Sequence, residues 1–292
     1  MQASTGPQRP THRPDFALPS GSTDCHAHLF GPVARYPYTP DRLYSPVESN
    51  AQDYIHMLDT LGLDRAVLVQ GSAQGTDNQI LLDAIAQYPG RLLGIAVVRT
   101  DISDADLQAL HRGGIRGIRM SDTLNPAVPL SRVDEFAARV QPLGWHLQLH
   151  LGCVEDLLAL RESIERSPVP ILIDHMASAT SQDSLDGAGV RTMLELVRQQ
   201  PHVWVKIAAY YRRSEAGPPY ADMEPLVHAL LQARPDRLVW GSNWPHPVHK
   251  RAVPDDTDLL DVFGRWVTDP ALRAQILVDN PERLFGFPPV AR

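Results

Sequence analysis

Imidazole and amide side chains recur at short spacings in this chain of 292 residues. The first group is TDCHAH, in which His26 and His28 are separated by one residue. In a β-strand this spacing places both side chains on the same face. Two imidazoles on one face can polarise a carbonyl group, shuttle a proton or bind a metal ion. The segment is therefore a candidate for acid–base or metal chemistry.

Further polar side chains stand at the ends of later apolar runs. They are Arg119, His150, His175, Asn243 and His246. A guanidinium group can bind a carboxylate through two parallel hydrogen bonds, which makes arginine suited to an acidic ligand. We therefore expect a site in which histidines act beside a bound carboxylate.

Eight short runs rich in Val, Ile and Leu could position these side chains, and each is followed by a stretch with helical spacing. We expect strands near residues 22–30, 65–71, 92–98, 114–120, 146–152, 170–176, 203–209 and 238–244. We expect helices near residues 52–62, 77–88, 103–112, 131–141, 154–166, 188–200, 221–233 and 256–268. This alternation predicts an α/β protein with one domain, a (β/α)8 TIM barrel at residues 22–292, after a proline-rich surface tail at residues 1–21. A last helical segment, Pro270 to Phe285, is expected to close the bottom or side of the barrel.

Active sites of such barrels lie at the C-terminal ends of the strands. Alternation in the fifth strand predicts that His146, Gln148 and His150 face the barrel interior. In the sixth strand it predicts that Asp174 faces outward and His175 inward. The inner face of the barrel is therefore expected to be polar and suited to a polar ligand.

Composition narrows the class of protein. Lys and Arg number 27 against 34 Asp and Glu, which gives a net charge of -7 and argues against binding of nucleic acid or an anionic membrane. Cys25 and Cys153 are too few for a disulfide framework, and no apolar run has the length of a membrane span or a signal peptide. We expect a soluble cytoplasmic protein.

Six phrases, taken together, resemble the amidohydrolase superfamily over nearly the whole chain: TDCHAHLFGP, QGSAQGTDN, GGIRGIRM, IDHM, AGPPY and VWGSNWPHP. They are most similar to the branch of metal-independent lactonases that contains 2-pyrone-4,6-dicarboxylate lactonase and galactarolactone isomerase. The resemblance implies an enzyme that acts on a small carboxylated lactone. It implies catalysis by His26, His28 and His175, and carboxylate binding by Arg119 and Arg212.

One position departs from the lactonase pattern, because Asn243 stands where that branch has an aspartate base. An amide cannot accept a proton near neutral pH, so this side chain cannot activate water. A hydroxyl of the substrate itself can still attack the lactone carbonyl, which changes the ring size instead of opening the ring. We expect lactone isomerisation to be favoured over hydrolysis, with Asn243 donating a hydrogen bond to the developing oxyanion. The family's arginine after Met176 is also missing, which indicates a substrate with fewer carboxylates.

Other residues could line the pocket or stabilise its loops: His150, Ser72, Asn78, Tyr44 and His246. Lys206 is expected to pair with a carboxylate of the barrel and is not placed among the catalytic residues.

No metal cofactor is expected. The alternative is Zn²⁺ bound by His26, His28 and His175, as in a metal-dependent hydrolase or decarboxylase of the superfamily. Against it, the strand-eight carboxylate is absent and Arg119 would lie close to the ion. A second alternative is a catalytically inactive protein that binds carboxylates.

Overall fold

Eight parallel strands, paired in chain order, form the centre of the part of the chain that this computed structural model describes, residues 6–123, 128–248 and 253–290. The strands are β1 (Thr23–Ala27), β2 (Arg65–Val69), β3 (Leu92–Ala96), β4 (Ile115–Ser121), β5 (His146–His150), β6 (Ile171–Ile173), β7 (Val203–Ala208) and β8 (Leu238–Gly241). Residues 1–5 of the predicted tail, and residues 124–127, 249–252 and 291–292 of the predicted barrel domain, lie outside the described ranges.

A helix follows each strand. These helices are α1 (Ala51–Leu61), α2 (Gln79–Gln87), α3 (Asp104–Arg112), α4 (Val133–Val140), α5 (Asp156–Glu165), α6 (Ala188–Gln199), α7 (Glu224–Ala233) and α8 (Asp256–Trp266). The chain then continues through α9 (Pro270–Ala274), a π-helical turn (Gln275–Asp279) and α10 (Asn280–Phe285). The predicted single-domain (β/α)8 barrel is confirmed.

The apolar core has two layers. Side chains such as Leu147 and Leu149 point outward from the strands and pack beneath the helices. A smaller cluster fills the barrel interior and includes Val67, Leu172 and Phe285. Because Phe285 ends α10 and belongs to this interior cluster, the last helical segment closes the bottom of the barrel. The opposite, C-terminal half of the interior is left for polar side chains.

The barrel is closed between β8 and β1 by backbone hydrogen bonds just beyond the end of β8. Asn243 N donates to His26 O at 2.8 Å, and His28 N donates to Trp244 O at 2.7 Å. The pairing of β1 with β2 is irregular between Asp24 and Ala27. As a result, Cys25 lies in the interior apolar cluster and the next side chain, His26, also faces inward. Closure of the barrel therefore brings the β1 histidines beside Asn243.

Asp24 fixes this closure from outside the barrel. Its carboxylate accepts hydrogen bonds from Ser242 N at 2.9 Å, His26 N at 3.0 Å and the Tyr54 hydroxyl at 2.9 Å. These bonds join β1, α1 and the end of β8 through one side chain. Burial raises the pKa of Asp24 to about 6, although the hydrogen bonds from Ser242, His26 and Tyr54 oppose this shift.

The described part of the N-terminal tail packs on α8. Thr11 N donates to Asp255 Oδ2 at 3.1 Å, and Asp15 N donates to Asp261 Oδ1 at 2.7 Å. None of the described helices is long and apolar enough to cross a membrane.

Candidate active site

A buried ion pair between Lys206 of β7 and Asp174 lies at the centre of the polar half of the barrel. Lys206 Nζ is 3.1 Å from Asp174 Oδ1, 2.9 Å from Gln148 Oε1 and 3.0 Å from His26 Nδ1. The second carboxylate oxygen accepts hydrogen bonds from Arg119 Nε at 3.1 Å and Gln148 Nε2 at 2.9 Å. Burial alone would raise the pKa of Asp174, but the charges of Lys206 and Arg119 hold that pKa well below its usual value. Asp174 is therefore an ionised carboxylate, and each of its oxygens contacts a positively charged side chain.

The hydrogen bonds define where the protons of the β1 histidines lie. Lys206 has three acceptors within reach, which matches the three N–H groups of an ammonium ion. His26 Nδ1 accepts one of them, so its Nε2 carries the proton and donates to His28 Nε2 at 3.2 Å. His28 Nδ1 in turn donates to Val69 O at 2.8 Å. Both imidazoles are neutral in this arrangement.

Burial explains why these rings stay neutral. It lowers the pKa of His28 to about 3, with Arg119 adding to the shift. Burial, followed by the charge of Lys206, lowers the pKa of His26 well below its usual value. A neutral imidazole has one N–H that can donate a hydrogen bond to a lactone carbonyl and one nitrogen that can accept a proton from a hydroxyl group.

The chain after β6 adopts an unusual backbone that changes which side chains reach the site. His175, Met176, Ala177 and Ser178 all have positive φ angles, between 49° and 61°. Left-handed backbone costs roughly 1–2 kcal/mol for each residue with a side chain, so this segment is strained. Leu172 belongs to the interior cluster and Ile173 packs beneath the helices, so alternation turns Asp174 inward. The left-handed backbone at His175 brings the next side chain to the same face. The prediction that Asp174 faces outward is therefore wrong, and both Asp174 and His175 face the site.

His175 lies among the other imidazoles. Its ring centroid is 4.5 Å from that of His26 and 5.6 Å from that of His150. His150 Nδ1 lies 3.2 Å from Arg119 Nη2, and because a guanidinium can only donate, this nitrogen is the acceptor. Burial, followed by the charge of Arg119, lowers the pKa of His150 well below its usual value. The sequence-predicted residues His26, His28, Arg119, His150 and His175 are thus brought together.

Tyr44, Ser72 and Arg212 lie beside this cluster. The Ser72 hydroxyl donates to the Tyr44 hydroxyl at 3.5 Å. Burial raises the pKa of Tyr44, whereas the bond from Ser72 and the charges of Arg119 and Arg212 lower it. Arg212 is exposed, and no carboxylate of the described residues lies within 4.0 Å of its guanidinium group. It can therefore bind an acidic ligand.

Asn78 is not brought into the site as a free polar group. Its amide nitrogen donates to Val97 O at 2.8 Å and to Thr76 O at 2.9 Å, and Val97 N donates to its oxygen at 3.1 Å. The side chain therefore joins the loop before α2 to the end of β3.

Asn243 and His246 are linked through a residue that the sequence did not indicate. Asn243 Nδ2 donates to the Tyr211 hydroxyl at 2.8 Å, and His246 Nδ1 lies 2.8 Å from the same hydroxyl. The other ring nitrogen of His246 is 3.1 Å from Asp256 Oδ1. All four side chains are almost completely buried.

Five residues of the site were not predicted as site residues: Gln148, Asp174, Lys206, Tyr211 and Asp256. Strand alternation placed Gln148 and Lys206 on the inner face, so a signal for these two existed. No spacing in the sequence connects Tyr211 with His246 and Asp256, which meet only in the folded chain.

The donor set does not suit a divalent cation. Among the described residues, His26, Asp174 and His175 are the group of potential ligands whose donor atoms lie close together, and His28 is not part of that group. Lys206 already contacts both His26 Nδ1 and Asp174 Oδ1, and Arg119 contacts the other carboxylate oxygen. A divalent ion there would face two positive charges at short range.

Comparisons with known proteins identify the family and the fold. The model of the amidohydrolase family matches residues 23–287. A 2-pyrone-4,6-dicarbaxylate hydrolase from Comamonas testosteroni is 34% identical over 94% of this chain and 92% of its own length. A D-galactarolactone isomerase from Agrobacterium fabrum is 29% identical over 95% of each chain.

A solved structure of a probable 2-pyrone-4,6-dicarboxylic acid hydrolase from Acinetobacter baumannii, with citric acid bound, has a similar fold. It superposes with a TM-score of 0.80 at 31% identity, covering 91% of this chain and 100% of the other.

Proposed function

Because this chain belongs to the amidohydrolase family, we propose that it is an enzyme acting on the lactone ring of a small carboxylated lactone, and that it isomerises the ring more readily than it hydrolyses it. One matched relative is named as a hydrolase and another as a lactone isomerase, so the family supports both outcomes. The choice between them depends on the group that takes the proton from the attacking oxygen.

Asn243 is the observation that carries the proposal. It lies at the end of β8, bonded to His26 O through its backbone and to Tyr211 through its side chain. Its amide cannot take a proton from water. Asp174, the carboxylate at the centre of the site, is occupied by Lys206, Arg119 and Gln148. Attack by a hydroxyl of the bound lactone needs less base assistance, since effective molarities of roughly 10⁵–10⁸ M favour intramolecular reactions.

The β1 histidines are suited to hold the lactone carbonyl. His26 Nε2–H donates to His28 Nε2, and the same N–H can donate to a carbonyl oxygen placed beside it. Lys206 fixes this tautomer by donating to His26 Nδ1. Asn243 has one further N–H beyond the one that Tyr211 accepts, which leaves it able to donate to the oxyanion.

Cations beside the site indicate an acidic ligand. Arg119 is bonded to Asp174 and faces His150, whereas Arg212 has no carboxylate partner within 4.0 Å among the residues described. Besides burial and the charge of Arg119, the charges of both Arg212 and its neighbour Arg213 lower the pKa of His150. Guanidinium groups beside the site are therefore available for the carboxylate of a lactone.

We further propose that the reaction needs no resident metal, since Lys206 and Arg119 supply the positive charge around Asp174. Zinc-dependent hydrolysis or decarboxylation is the competing function, because His26, Asp174 and His175 lie close enough to hold an ion.

Proton NMR of the chelator-treated enzyme with a panel of carboxylated six-membered lactones tests the proposal. Appearance of the five-membered lactone before any open-chain acid is the expected result. Open-chain acid as the first product would indicate a hydrolase. Activity that returns only with added Zn²⁺ would indicate the metal-dependent enzyme, and binding without turnover an inactive carboxylate-binding protein.

Asn243→Asp tests the reason for that preference. A carboxylate at this position can accept a proton from water, so we expect the variant to form a larger share of open-chain acid. An unchanged ratio of isomerised to hydrolysed product would show that residue 243 does not select the reaction.

A further inference from the structure

Three polar side chains beside Asn243 lie in a row in which each contacts the next: Tyr211, His246 and Asp256. The Tyr211 hydroxyl accepts from Asn243 Nδ2 and lies 2.8 Å from His246 Nδ1, and His246 Nε2 lies 3.1 Å from Asp256 Oδ1. Neither His246 nor Asp256 has any exposed surface, and Tyr211 is 2% exposed. The path through these side chains begins at Asn243, which lies beside His26, and ends at the buried carboxylate of Asp256. Binding of the lactone by the histidines and arginines does not require it.

The proton positions along this path follow from the partners. A carboxylate oxygen can only accept, so the ring nitrogen of His246 that faces Asp256 carries a proton. When the ring is neutral, its Nδ1 is then an acceptor, and Tyr211 must donate to it. The Tyr211 oxygen is left to accept from Asn243, as the geometry shows. If His246 Nδ1 gained a proton, it would become the donor and the Tyr211 oxygen the acceptor. The path therefore has two states, which differ by one proton on His246.

Asp256 is placed to stabilise the charged state of His246. It is the first residue of α8, where the helix dipole favours a negative charge. Its Oδ1 lies 3.1 Å from His246 Nε2, and among the described residues neither carboxylate oxygen has a hydrogen-bond partner, so the carboxylate faces the ring without being neutralised by another group. An imidazolium formed at His246 would therefore gain a buried counter-ion.

We propose that Asp256, His246 and Tyr211 form a proton relay that supplies the acid–base group missing at Asn243. The inference rests on the proposed lactone reaction. The attacking hydroxyl gives its proton to the Tyr211 oxygen as the Tyr211 proton passes to His246 Nδ1, and a C–O bond forms at the carbonyl carbon. When the oxyanion collapses, the bond to the original ring oxygen breaks. The proton then returns through Tyr211 to that oxygen, so the relay is restored.

The roles within the relay differ. Tyr211 is the catalytic residue, because its oxygen exchanges a proton with the substrate. His246 and Asp256 are positioning residues that act through Tyr211. Burying a histidine and a carboxylate together costs desolvation free energy, which an apolar pair at these positions would not. A role in the relay explains why the polar pair is present.

Tyr211→Phe tests the relay because it removes one hydroxyl and keeps the ring. We expect kcat for lactone turnover to fall by roughly 10²–10⁴, the usual contribution of general acid–base catalysis, with KM changing little. Asp256→Asn should cause a similar loss by favouring the wrong tautomer of His246. The double variant should be no slower than Tyr211→Phe, since members of one relay are not additive.

Tyr210→Phe is the matched control. Its hydroxyl is also buried, but it donates to Leu259 O instead of to a member of the relay. We expect this variant to lose thermal stability and to keep its kcat.

Two results separate failure of the relay from failure of the proposed function. If the wild type turns over lactones and Tyr211→Phe keeps its kcat, or the losses of the two single variants multiply in the double variant, the relay is wrong. If the wild type turns over no lactone, the proposed function is wrong and the relay has no such reaction to serve. ¹⁵N NMR of His246 adds a readout without turnover, because a protonated Nδ1 in the neutral ring would contradict the relay.

Discussion

Arg119 and Arg212 belong to the same site but have different surroundings. Arg119 is 4% exposed, donates to Asp174 and faces His150. Arg212 is exposed and lacks a carboxylate partner in the described part of the chain. A guanidinium with buried partners holds those partners in place, whereas one that faces solvent at a cavity can take up a ligand. We therefore assign positioning to Arg119 and substrate binding to Arg212.

Arg212→Met is expected to raise KM for a carboxylated lactone by roughly 10–100-fold, because a hydrogen bond to a charged group contributes about 1.5–3 kcal/mol. The carboxylate does not react, so ground state and transition state should lose the same interaction and kcat should change little. Steady-state kinetics on the acid and on its neutral amide would measure the effect.

The control for this prediction is Arg99→Met, whose ion pair with Asp101 is exposed and lies in the loop after β3. Its KM should equal that of the wild type. A KM for Arg212→Met that rises equally for the acid and the amide would show that Arg212 does not bind the carboxylate.

For individual residues, the spacing of side chains within strands predicts part of the site. His26, His28 and Arg119 follow from the spacing and end points of the strands. Asp174 was expected to face outward because His175 was expected to face inward, whereas the left-handed backbone at His175 lets both consecutive side chains face the site. Tyr211 could not be found either, since its partners Asn243 and His246 belong to the segment after β8, far along the chain.

The junction of β8 with β1 shows how an element positions a catalytic side chain. Gly241 ends β8, and a Cβ atom at this position would lie 2.7 Å from His26 Cβ and 2.8 Å from His26 N. Atoms cannot approach so closely, so only glycine lets the backbone of β1 lie against β8 here. The hydrogen bonds of His26 to Lys206 and His28 depend on this close approach.

Gly241→Ala is therefore expected to displace His26 and to lower kcat by about 10²-fold, the cost of a misplacement of roughly 1 Å. Overpacking should also lower the free energy of unfolding by about 1–3 kcal/mol. Steady-state kinetics and urea denaturation of the same preparation would measure both effects.

Gly94→Ala in β3 provides a comparison, because its Cβ would contact the end of the flexible Ile115 side chain. It should lose stability but keep kcat. Equal kcat values for Gly241→Ala and the wild type would show that close packing of β8 on β1 does not position His26.

The strands themselves were predictable, and their ends were not. All eight follow from runs of Val, Ile and Leu with regular spacing. β6 and β8 end earlier than predicted, at Ile173 and Gly241, because the backbone leaves the extended conformation soon afterwards. Positive φ at His175 and Asn243 marks these departures, and both residues belong to the site. The predicted strand ends are thus wrong at the places where strained backbone directs polar side chains into the site.

For the whole molecule, the polar barrel interior makes stability depend on pH. Five histidines of the barrel, four of them buried and His150 partly buried, have lowered pKa values: His26, His28, His146, His150 and His175. Burial is the main cause in each case, since it disfavours the charged ring. In the unfolded chain the same rings take up protons near pH 6.5. The folded protein therefore binds fewer protons than the unfolded chain in mild acid.

We expect the free energy of unfolding to fall as pH decreases from 6.5 towards 4. A group with a depressed pKa contributes stability above its unfolded value and loses it as pH falls, by about 1.4 kcal/mol per pH unit. Asp24 acts in the opposite direction, because its raised pKa of about 6 makes it lose stability as pH rises through that value. Five histidines outweigh one carboxyl group, so the net slope should be several times about 1.4 kcal/mol per pH unit. Urea denaturation at pH 8, 6.5, 5.5 and 5 measures it.

His146→Gln isolates one of these five groups. His146 lies in the barrel interior with its ring centroid 5.2 Å from that of Phe285, and burial lowers its pKa to about 3. Glutamine does not titrate, so the slope of stability against pH below pH 6 should decrease by about 1.4 kcal/mol per pH unit relative to the wild type. This holds even if the variant is less stable at every pH. Equal slopes for the two proteins would show that His146 takes up a proton in the folded state, and that the barrel interior admits charge in mild acid.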